Sequence, residues 1–255
     1  MQIITLTTDF GSQDLYVAML KGSIISAQPH VNFIDLTHNI KNFNIVQAAY
    51  SVKYTYREFP AGTIHIVSVH NFYTPHPKYL VIKHEEHYFI GPDNGVFSLA
   101  FEQKPLECYE IPCESYSILS YKDAFTYAVD YLMKGLSIDG LGKNCSEIIE
   151  RFSLQAITGE RMIRGTVIHI DHYENVILNI TKDLWDRYSY YHRFALFFKR
   201  HDAITQLSTS YADVAIGENL CLFNSANHLE IAINMGTASS MLSLELEDAI
   251  QIEFY

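Results

Sequence analysis

The chain has 255 residues, a formal net charge of -11, and 18% charged against 48% hydrophobic residues. This composition excludes a disordered chain, and the length allows one large core or two modest domains. The acidic charge, without any basic run, argues against a nucleic-acid backbone or an anionic membrane surface as the main partner.

The first half of the chain alternates predicted strands and helices. A strand at 3–7 is followed by a helix at 16–27, in which Val17, Leu20 and Ile24 recur at helical spacing. The next predicted elements are a strand at 31–36, a helix at 43–59, strands at 63–69, 79–83 and 87–90, a short helix from Val96 and a helix at 123–134. This order predicts an α/β domain with a largely parallel sheet and helices on both faces.

The pattern changes near residues 153–164. Short β runs follow from Gly165 onward, at 167–170, 175–180, 194–198, 230–234 and 250–254, and helical periodicity is sparse. We therefore expect a smaller, mainly antiparallel and barrel-like β domain. The predicted boundary lies near residue 160, with an α/β domain at 1–155 and a β-rich domain at 163–255.

The loop after the first strand carries the clearest sign of function. Asp9 lies at the C-terminal end of a strand, where open α/β sheets bind their ligands, and a carboxylate there could accept hydrogen bonds from both hydroxyls of a ribose. Gly11 allows a sharp turn, Ser12 is available as a helix cap, and Asp14 lies where the helix begins. The alternative is a capping loop with one surface Asp.

Two other features are weaker when taken alone. Asn94-Gly95 is a strong turn signal. His65, His70 and His76 could suggest a metal site, but His65 and His70 would point to opposite faces of a continuing strand, so we expect no metal.

The cysteines and the N-terminus indicate the cellular compartment. Cys108, Cys113, Cys145 and Cys221 form no zinc-ligand pattern and are predicted to be reduced thiols. The first residues lack a signal-peptide pattern, and no stretch reaches transmembrane length. A cytoplasmic protein is expected.

Several short motifs gain meaning from their order along the chain. They are Thr8-Asp9-Phe10-Gly11 with Asp14 and Lys21-Gly22, Asp35-Leu36-Thr37-His38, Phe59-Pro60-Ala61-Gly62-Thr63, Gly91-Pro92-Asp93-Asn94-Gly95, Asp171 to Asn175, and Leu229 to Gly236. As an ordered set covering nearly the whole chain, they resemble the S-adenosyl-L-methionine hydroxide adenosyltransferases, whose relatives are S-adenosylmethionine-dependent fluorinases and chlorinases. The resemblance implies a nucleoside ligand, no cofactor beyond S-adenosylmethionine itself, and a homotrimer in which two subunits form each site.

The resemblance also implies roles for individual residues. Asp9 would hold the ribose hydroxyls and Phe43 would pack against the sugar, while Asp14 and Asn94 belong to the matching binding loops. Asp171 and Asn175 would bind the amino-acid end of the methionine, with Tyr173 nearby and Ser225 at its carboxylate. The backbone around Asn234 and Met235 would bind adenine.

The chain departs from the family pattern at three catalytic positions. His70 stands at the position of the family's Asp, Pro77 at that of its Arg and Ser120 at that of its His. A sulfonium substrate is already activated, so a water needs only orientation and a base, for which His70 is the candidate. Three readings remain open: hydrolysis to adenosine and methionine, binding of S-adenosylmethionine or adenosine without turnover, and halogenation in a pocket lined by Ser68, Thr74 or Ser120.

Overall fold

The computed structural model describes residues 2–101, 103, 105, 107–113, 117, 119–145, 147–188, 190–191, 193–199 and 203–255. It divides into two compact units, Met1–Ser153 and Leu154–Tyr255. Each unit buries hydrophobic clusters of its own.

A sheet forms the centre of the first unit, with its described strands in the order β2-β1-β3-β5-β4-β6-β7. The strands are β1 (Gln2–Thr8), β2 (Val31–Thr37), β3 (Ile64–Ser68), β4 (Tyr79–His84), β5 (His87–Pro92), β6 (Glu107–Glu110) and β7 (Lys143–Asn144). Strands β2, β1, β3 and β5 are parallel, whereas β4, β6 and β7 extend the sheet in antiparallel pairings. The predicted α/β domain is confirmed, with an antiparallel extension at one side.

Helices cover both faces of this sheet, as the alternating pattern predicted. They are α1 (Tyr16–Ala27), α2 (Ile45–Lys53), α3 (Val96–Ala100) and α4 (Ser120–Met133), together with 3-10 turns at Tyr56–Glu58 and Ile138–Gly140. Helices α1 and α4 pack together, as do α2 and α3. Ile4 and Leu6 of β1 belong to the core with α1 and α4, whereas Val67 of β3 belongs to the core with α2 and α3.

The second helix is shorter than the predicted 43–59. It begins after Asn44, whose side chain accepts a hydrogen bond from the Gln47 N–H at 2.9 Å, and it ends at Lys53. Phe43 has a left-handed backbone with φ of 66°, so it lies outside the helix. The amphipathic pattern continues through Tyr56 because that side chain packs into the same core, although its backbone belongs to a separate 3-10 turn.

The second unit is a curled antiparallel sheet, as predicted. Its strands are β8 (Ile157–Gly159), β9 (Met162–Ile170), β10 (Val176–Thr181), β11 (Phe194–Phe197), β12 (Asn219–Phe223), β13 (His228–Ile233) and β14 (Ala249–Phe254). Their order is β11-β14-β9-β10-β13-β12, with β8 paired to β9. Two short helices, α5 (Lys182–Asp186) and α6 (Ala238–Leu242), accompany the sheet.

The outer strands of this sheet are connected by one intervening segment. Ile204 exchanges backbone hydrogen bonds with Leu196 of β11, at 2.8 and 3.1 Å. Leu207 forms a parallel bridge with Cys221 of β12, and the Ser208 N–H donates to the Cys221 carbonyl at 2.8 Å. This segment therefore bonds to both edge strands and gives the unit its barrel-like closure, which protects strand edges from further pairing.

The four cysteines are free thiols. Cys108 and Cys221 are buried, and burial raises the pKa of Cys221 to about 12, so this thiol stays protonated and unreactive at neutral pH. Among the helices in the described part of the chain, none has the length and apolar character needed to cross a bilayer.

Candidate functional site

Asp9 follows β1 at the C-terminal edge of the parallel sheet. Its Oδ2 atom accepts hydrogen bonds from the Phe43 N–H at 3.0 Å and from the His70 N–H at 3.2 Å. Both donor residues have left-handed backbones, with φ of 66° and 51°, and such strain in non-glycine residues collects at functional sites. One carboxylate oxygen thus connects the loops that carry Asp9, Phe43 and His70.

The rings of Phe43 and His70 lie beside this carboxylate. Their centroids are 5.2 Å apart, and Phe43 is 64% exposed. An aromatic side chain so exposed at a ligand-binding edge is available to pack against a flat or apolar part of a ligand. The structure therefore brings together Asp9, Phe43 and His70, three of the residues that the sequence singled out.

Hydrogen bonds to His38 hold the rest of the first loop. The Thr8 hydroxyl lies 2.9 Å from His38 Nδ1, and the Gly11 N–H donates to the His38 carbonyl at 2.7 Å. Asp14 is exposed at the start of α1. The expected Ser12 cap is wrong, because Leu15 occupies the N-cap position of α1 and no side chain caps the helix. The loop is thus held by its bonds to His38, and the N-terminus of α1 has no side-chain cap.

Asn94 connects the β5 turn to the loop that carries His70. Its Nδ2 atom donates to the Val69 carbonyl at 2.9 Å and to the His70 carbonyl at 3.2 Å, while its Oδ1 accepts the Val96 N–H at 3.1 Å. These bonds occupy the side chain's donor and acceptor atoms within the protein. Asn94 therefore positions the 69–70 segment.

Aromatic rings line the α4 side of the same edge. Tyr121 contacts Phe10 at 5.5 Å and Phe72 at 6.0 Å between ring centroids. Burial raises the pKa of Tyr121 to about 12, with smaller contributions from Tyr16 and the Asp9 charge, so its hydroxyl stays protonated. Tyr121 was not predicted as a site residue. Its spacing within α4 is that of a residue on the buried face of a helix.

The residues considered for a halide pocket have different surroundings. Ser68 is buried and accepts a hydrogen bond from Asn71 Nδ2 at 2.9 Å. The Ser120 hydroxyl lies 3.2 Å from that of Tyr79, whereas Thr74 is exposed. The two buried serines are thus engaged with protein partners.

Three buried side-chain atoms in the described residues lack a hydrogen-bond partner: Thr7 Oγ1, His38 Nε2 and Asn71 Oδ1. His38 Nε2 nevertheless faces the Asp35 carboxylate, 3.2 Å from Oδ1, and this neighbour contributes to the lowered pKa of Asp35. All three atoms belong to the ends of β1, β2 and β3 or the loops that follow them. Since native proteins pair nearly all buried polar groups, the two atoms without any such neighbour, Thr7 Oγ1 and Asn71 Oδ1, make this edge a candidate site.

His65 and His70, two of the histidines considered for a metal site, lie in different places in the fold. His65 is buried within β3, between the Thr5 hydroxyl at 2.7 Å and His87 Nδ1 at 3.2 Å, whereas His70 lies beyond the end of that strand. Burial, followed by the neighbouring His87, lowers the pKa of His65 to about 3. No group of three or more metal-ligating side chains occurs among the residues that the structure describes.

In the second unit, Asp171 and Asn175 close the turn between β9 and β10. The Asp171 carboxylate accepts the Asn175 N–H at 2.8 Å and its Nδ2 at 3.1 Å. Between them Glu174 has φ of 62° and accepts the Ser240 N–H at 3.0 Å, and Tyr173 is 73% exposed. The turn thus carries a carboxylate bonded to a buried amide, and an exposed ring, at one end of the sheet.

The same end of the sheet carries the segment after β13. The Asn234 N–H donates to the Glu218 carbonyl at 3.0 Å, and the Asn234 carbonyl accepts the Gly217 N–H at 2.8 Å. Met235 is 84% exposed with φ of 57°, and its backbone has no hydrogen bond to another described residue. Met235 is therefore the position of this pair whose backbone is free for a ligand.

Ser225 lies at the other end of β13, in the exposed turn after β12. Buried Glu230 lies between these ends, and its Oε1 atom accepts the Tyr211 hydroxyl at 2.7 Å. Burial raises the pKa of Glu230, and the negative charge of Asp171 adds to this effect. Glu230 is a site candidate that was not predicted from the sequence. A Glu within a β run gives no indication that its carboxyl is buried.

Comparisons with known proteins match the two parts of the chain separately. Family models described as the SAM hydroxide adenosyltransferase N-terminal and C-terminal domains match residues 4–142 and 165–251. The chain is 30% identical to an (R)-S-adenosyl-L-methionine hydrolase of Methanocaldococcus jannaschii, over 99% of this chain and 96% of that protein. It is 21% identical to a fluorinase of an Actinoplanes species, over 91% of each.

A solved structure also matches nearly the whole chain. An uncharacterized conserved protein from Thermotoga maritima has a TM-score of 0.87 and 28% identity, over 98% of this chain and 99% of that one. A conserved hypothetical protein from Thermus thermophilus, with 22% identity and a TM-score of 0.78, shares the fold.

Proposed function

Since the chain belongs to the SAM hydroxide adenosyltransferase family, we propose that it hydrolyses S-adenosyl-L-methionine to adenosine and L-methionine. The Asp9 carboxylate is the observation that carries this proposal. It lies at the ligand-binding edge of a parallel sheet, with one oxygen fixed by the Phe43 and His70 amides. Its other oxygen has no hydrogen bond to a described residue and can accept from a ribose hydroxyl.

The other candidate residues divide the substrate between them. Phe43 packs against the sugar, and the free backbone of Met235 binds the adenine edge. The family resemblance assigns Asp171, Asn175 and Ser225 to the methionine end, where a carboxylate suits the α-ammonium group and a hydroxyl suits the carboxylate. Ser225 lies at the opposite end of β13 from the other two, so its role rests on the resemblance alone. Tyr173 covers this end with its exposed ring. Asp14 lies at the rim of the first loop and contributes negative charge toward the cationic substrate.

The reaction needs little from the protein beyond placement. The oxygen of a water attacks the ribose C5′ while the C5′–S bond breaks, and the bonding electron pair stays on the neutral methionine sulfur. Water supplies the oxygen, so we propose no cofactor. His70 takes the proton that the new 5′-oxygen loses, since a neutral imidazole nitrogen can accept a proton and the His70 backbone is fixed to Asp9.

Product analysis tests the proposal against its two rivals. The protein is incubated with S-adenosylmethionine, with and without chloride, and the products are separated by chromatography. Adenosine whose formation falls in a His70→Gln variant supports hydrolysis. Formation of 5′-chloroadenosine instead identifies a halogenase, and tight binding without product identifies a binding module. If calorimetry detects no binding of S-adenosylmethionine to the wild type, and Asp9→Ala gives the same result, the ligand assignment is rejected.

We also propose a homotrimer whose sites are each completed by two subunits, as the family resemblance suggests. Light scattering of the purified protein measures its mass directly. Mixing Asp9→Ala with Asp171→Ala subunits should restore part of the activity, since some sites then combine two unaltered halves. A monomer with full activity contradicts this assembly.

A further inference from the structure

Asn71 carries a buried acceptor that nothing in the described protein satisfies. The residue is 5% exposed and follows His70 directly. Its Nδ2 atom donates to Ser68 Oγ at 2.9 Å, which orients the amide, while its Oδ1 has no hydrogen-bond partner. Buried amide oxygens are nearly always paired, so an unpaired one calls for a partner from outside the described residues.

Two other asparagines of the chain make the contrast clear. Asn94, at the same edge, uses its donor and acceptor atoms on Val69, His70 and Val96. Asn179, in the second unit, accepts the Thr166 N–H at 2.7 Å and donates to the Leu154 carbonyl at 2.7 Å. Both amides hold backbone segments together, whereas half of the Asn71 amide is left unused.

The unused oxygen belongs to the same constellation as Asp9. Asn71 is one residue from His70, whose N–H donates to Asp9 Oδ2, and adjacent Cα atoms lie about 3.8 Å apart. Its partner Ser68 pairs in the sheet with Thr8, the residue before Asp9. A ribose bound by Asp9 would therefore lie near the end of β3, where the Ser68–Asn71 pair is found.

We propose that Asn71 Oδ1 accepts a hydrogen bond from the attacking water and is a catalytic residue. This inference rests on the proposed function. Ser68 is its positioning residue, because it fixes which way the amide faces. One O–H of the water donates a hydrogen bond to Asn71 Oδ1 and keeps its proton, and the water's oxygen lone pair forms the bond to C5′ as the C5′–S electron pair leaves with methionine. The proton that the oxygen then loses passes to His70.

The product tests this contact without any turnover, since the 5′-hydroxyl of adenosine retains the oxygen of the attacking water. Calorimetry with adenosine and with 5′-deoxyadenosine compares the two ligands in the wild-type protein and in Asn71→Leu. We expect the wild type to prefer adenosine about 10-fold and the variant to lose that preference. Binding of both ligands by the wild type with equal affinity overturns the inference.

Kinetics give the second test. Asn71→Leu should lower kcat for adenosine formation on the order of 100-fold with little change in KM, whereas Asn71→Asp, which keeps an acceptor, should retain more activity and become inactive at acidic pH. Thermal stability should fall less in Asn71→Leu than in Asn179→Leu, because the loss of the bond to Ser68 is offset by removal of an unpaired buried oxygen. Asn179→Leu is the matched control, with lower stability and unchanged kcat.

The outcomes separate this inference from the proposed function. A wild type that prefers adenosine through Asn71 but releases no adenosine from S-adenosylmethionine supports the contact and rejects the reaction. A wild type that hydrolyses the substrate while Asn71→Leu keeps full kcat supports the reaction and rejects the role of Asn71.

Discussion

One oxygen of Asp9 stabilises two backbone conformations that are otherwise unfavourable. Left-handed conformations of non-glycine residues cost about 1–3 kcal/mol each, and Phe43 and His70 both adopt them while donating to Asp9 Oδ2. Hydrogen bonds to a carboxylate contribute about 1.5–3 kcal/mol, which is enough to hold such residues. Asp9 thus organises the site in addition to facing the ligand.

This double role predicts the effect of Asp9→Asn. The amide oxygen can still accept from Phe43 and His70, so stability should fall little, but an amide N–H then faces the ribose hydroxyls in place of an oxygen. We expect adenosine affinity to fall about 10- to 100-fold, measured by calorimetry. Asp139→Asn, at an exposed position, is the control and should bind as the wild type does. Equal affinity of Asp9→Asn and wild type contradicts the assignment.

The position of Asp9 after a predicted strand is enough to predict it as a site residue. The hydrogen-bond partners of its side chain cannot be predicted from the sequence. A carboxylate at the end of a predicted β1 is visible locally. Its bonds to Phe43 and His70 join residues 34 and 61 positions apart, and no local pattern encodes them. The unpaired oxygen of Asn71 and the burial of Glu230 are equally tertiary properties.

At the scale of elements, hydrophobic periodicity predicted the alternating order and both sheet classes, because it reports which faces are buried. It placed α1 at its observed residues and overextended α2. The extension arose because Tyr56 packs into the same core as α2 while its backbone has left the helix. Periodicity detects burial, and burial does not require a continuous helix.

The turn after β5 shows how an element supports the site. Gly95 has φ of 99°, and a Cβ there would lie 2.2 Å from Arg151 Cγ. The adjacent Asn94 holds the carbonyls of Val69 and His70. Any shift of this turn therefore moves the loop on which Asp9 depends.

Gly95→Ala should accordingly reduce both stability and ligand affinity. Backbone strain and the contact with Arg151 together should lower the free energy of unfolding by about 2–3 kcal/mol, measured by urea denaturation. Gly135→Ala is the matched control, since Gly135 also has positive φ, at 70°, but nothing lies within 4 Å of a Cβ. It should cost about 1 kcal/mol and leave affinity unchanged. Equal effects of the two substitutions would contradict a role for the turn.

At the scale of the whole molecule, the buried His65 makes stability depend on pH. Burial and His87 lower the pKa of His65 to about 3, against about 6.5 in the unfolded chain. Between these two pKa values the unfolded state binds a proton at His65 and the folded state does not. The free energy of unfolding therefore decreases as pH falls from about 6.5 toward 3.

Replacing His65 should remove this part of the pH dependence. Between about pH 7 and pH 5 the wild type should lose about 2 kcal/mol more than His65→Gln, because one His contributes about 1.4 kcal/mol per pH unit below its unfolded pKa. Urea midpoints at the two pH values measure the difference, and carboxylate effects cancel in it. His30→Gln, at an exposed position, should behave as the wild type. Identical losses in all three proteins would show that His65 is not responsible.

The central claim is that water attacks the ribose C5′ of S-adenosylmethionine in the site built around Asp9. Incubation with the substrate in ¹⁸O-labelled water, followed by mass spectrometry of the nucleoside product, tests it most directly. We expect adenosine that carries the label in its 5′-hydroxyl, together with unlabelled methionine, and loss of this product in Asp9→Ala. Unlabelled adenosine, a halogenated nucleoside or unchanged substrate would contradict it.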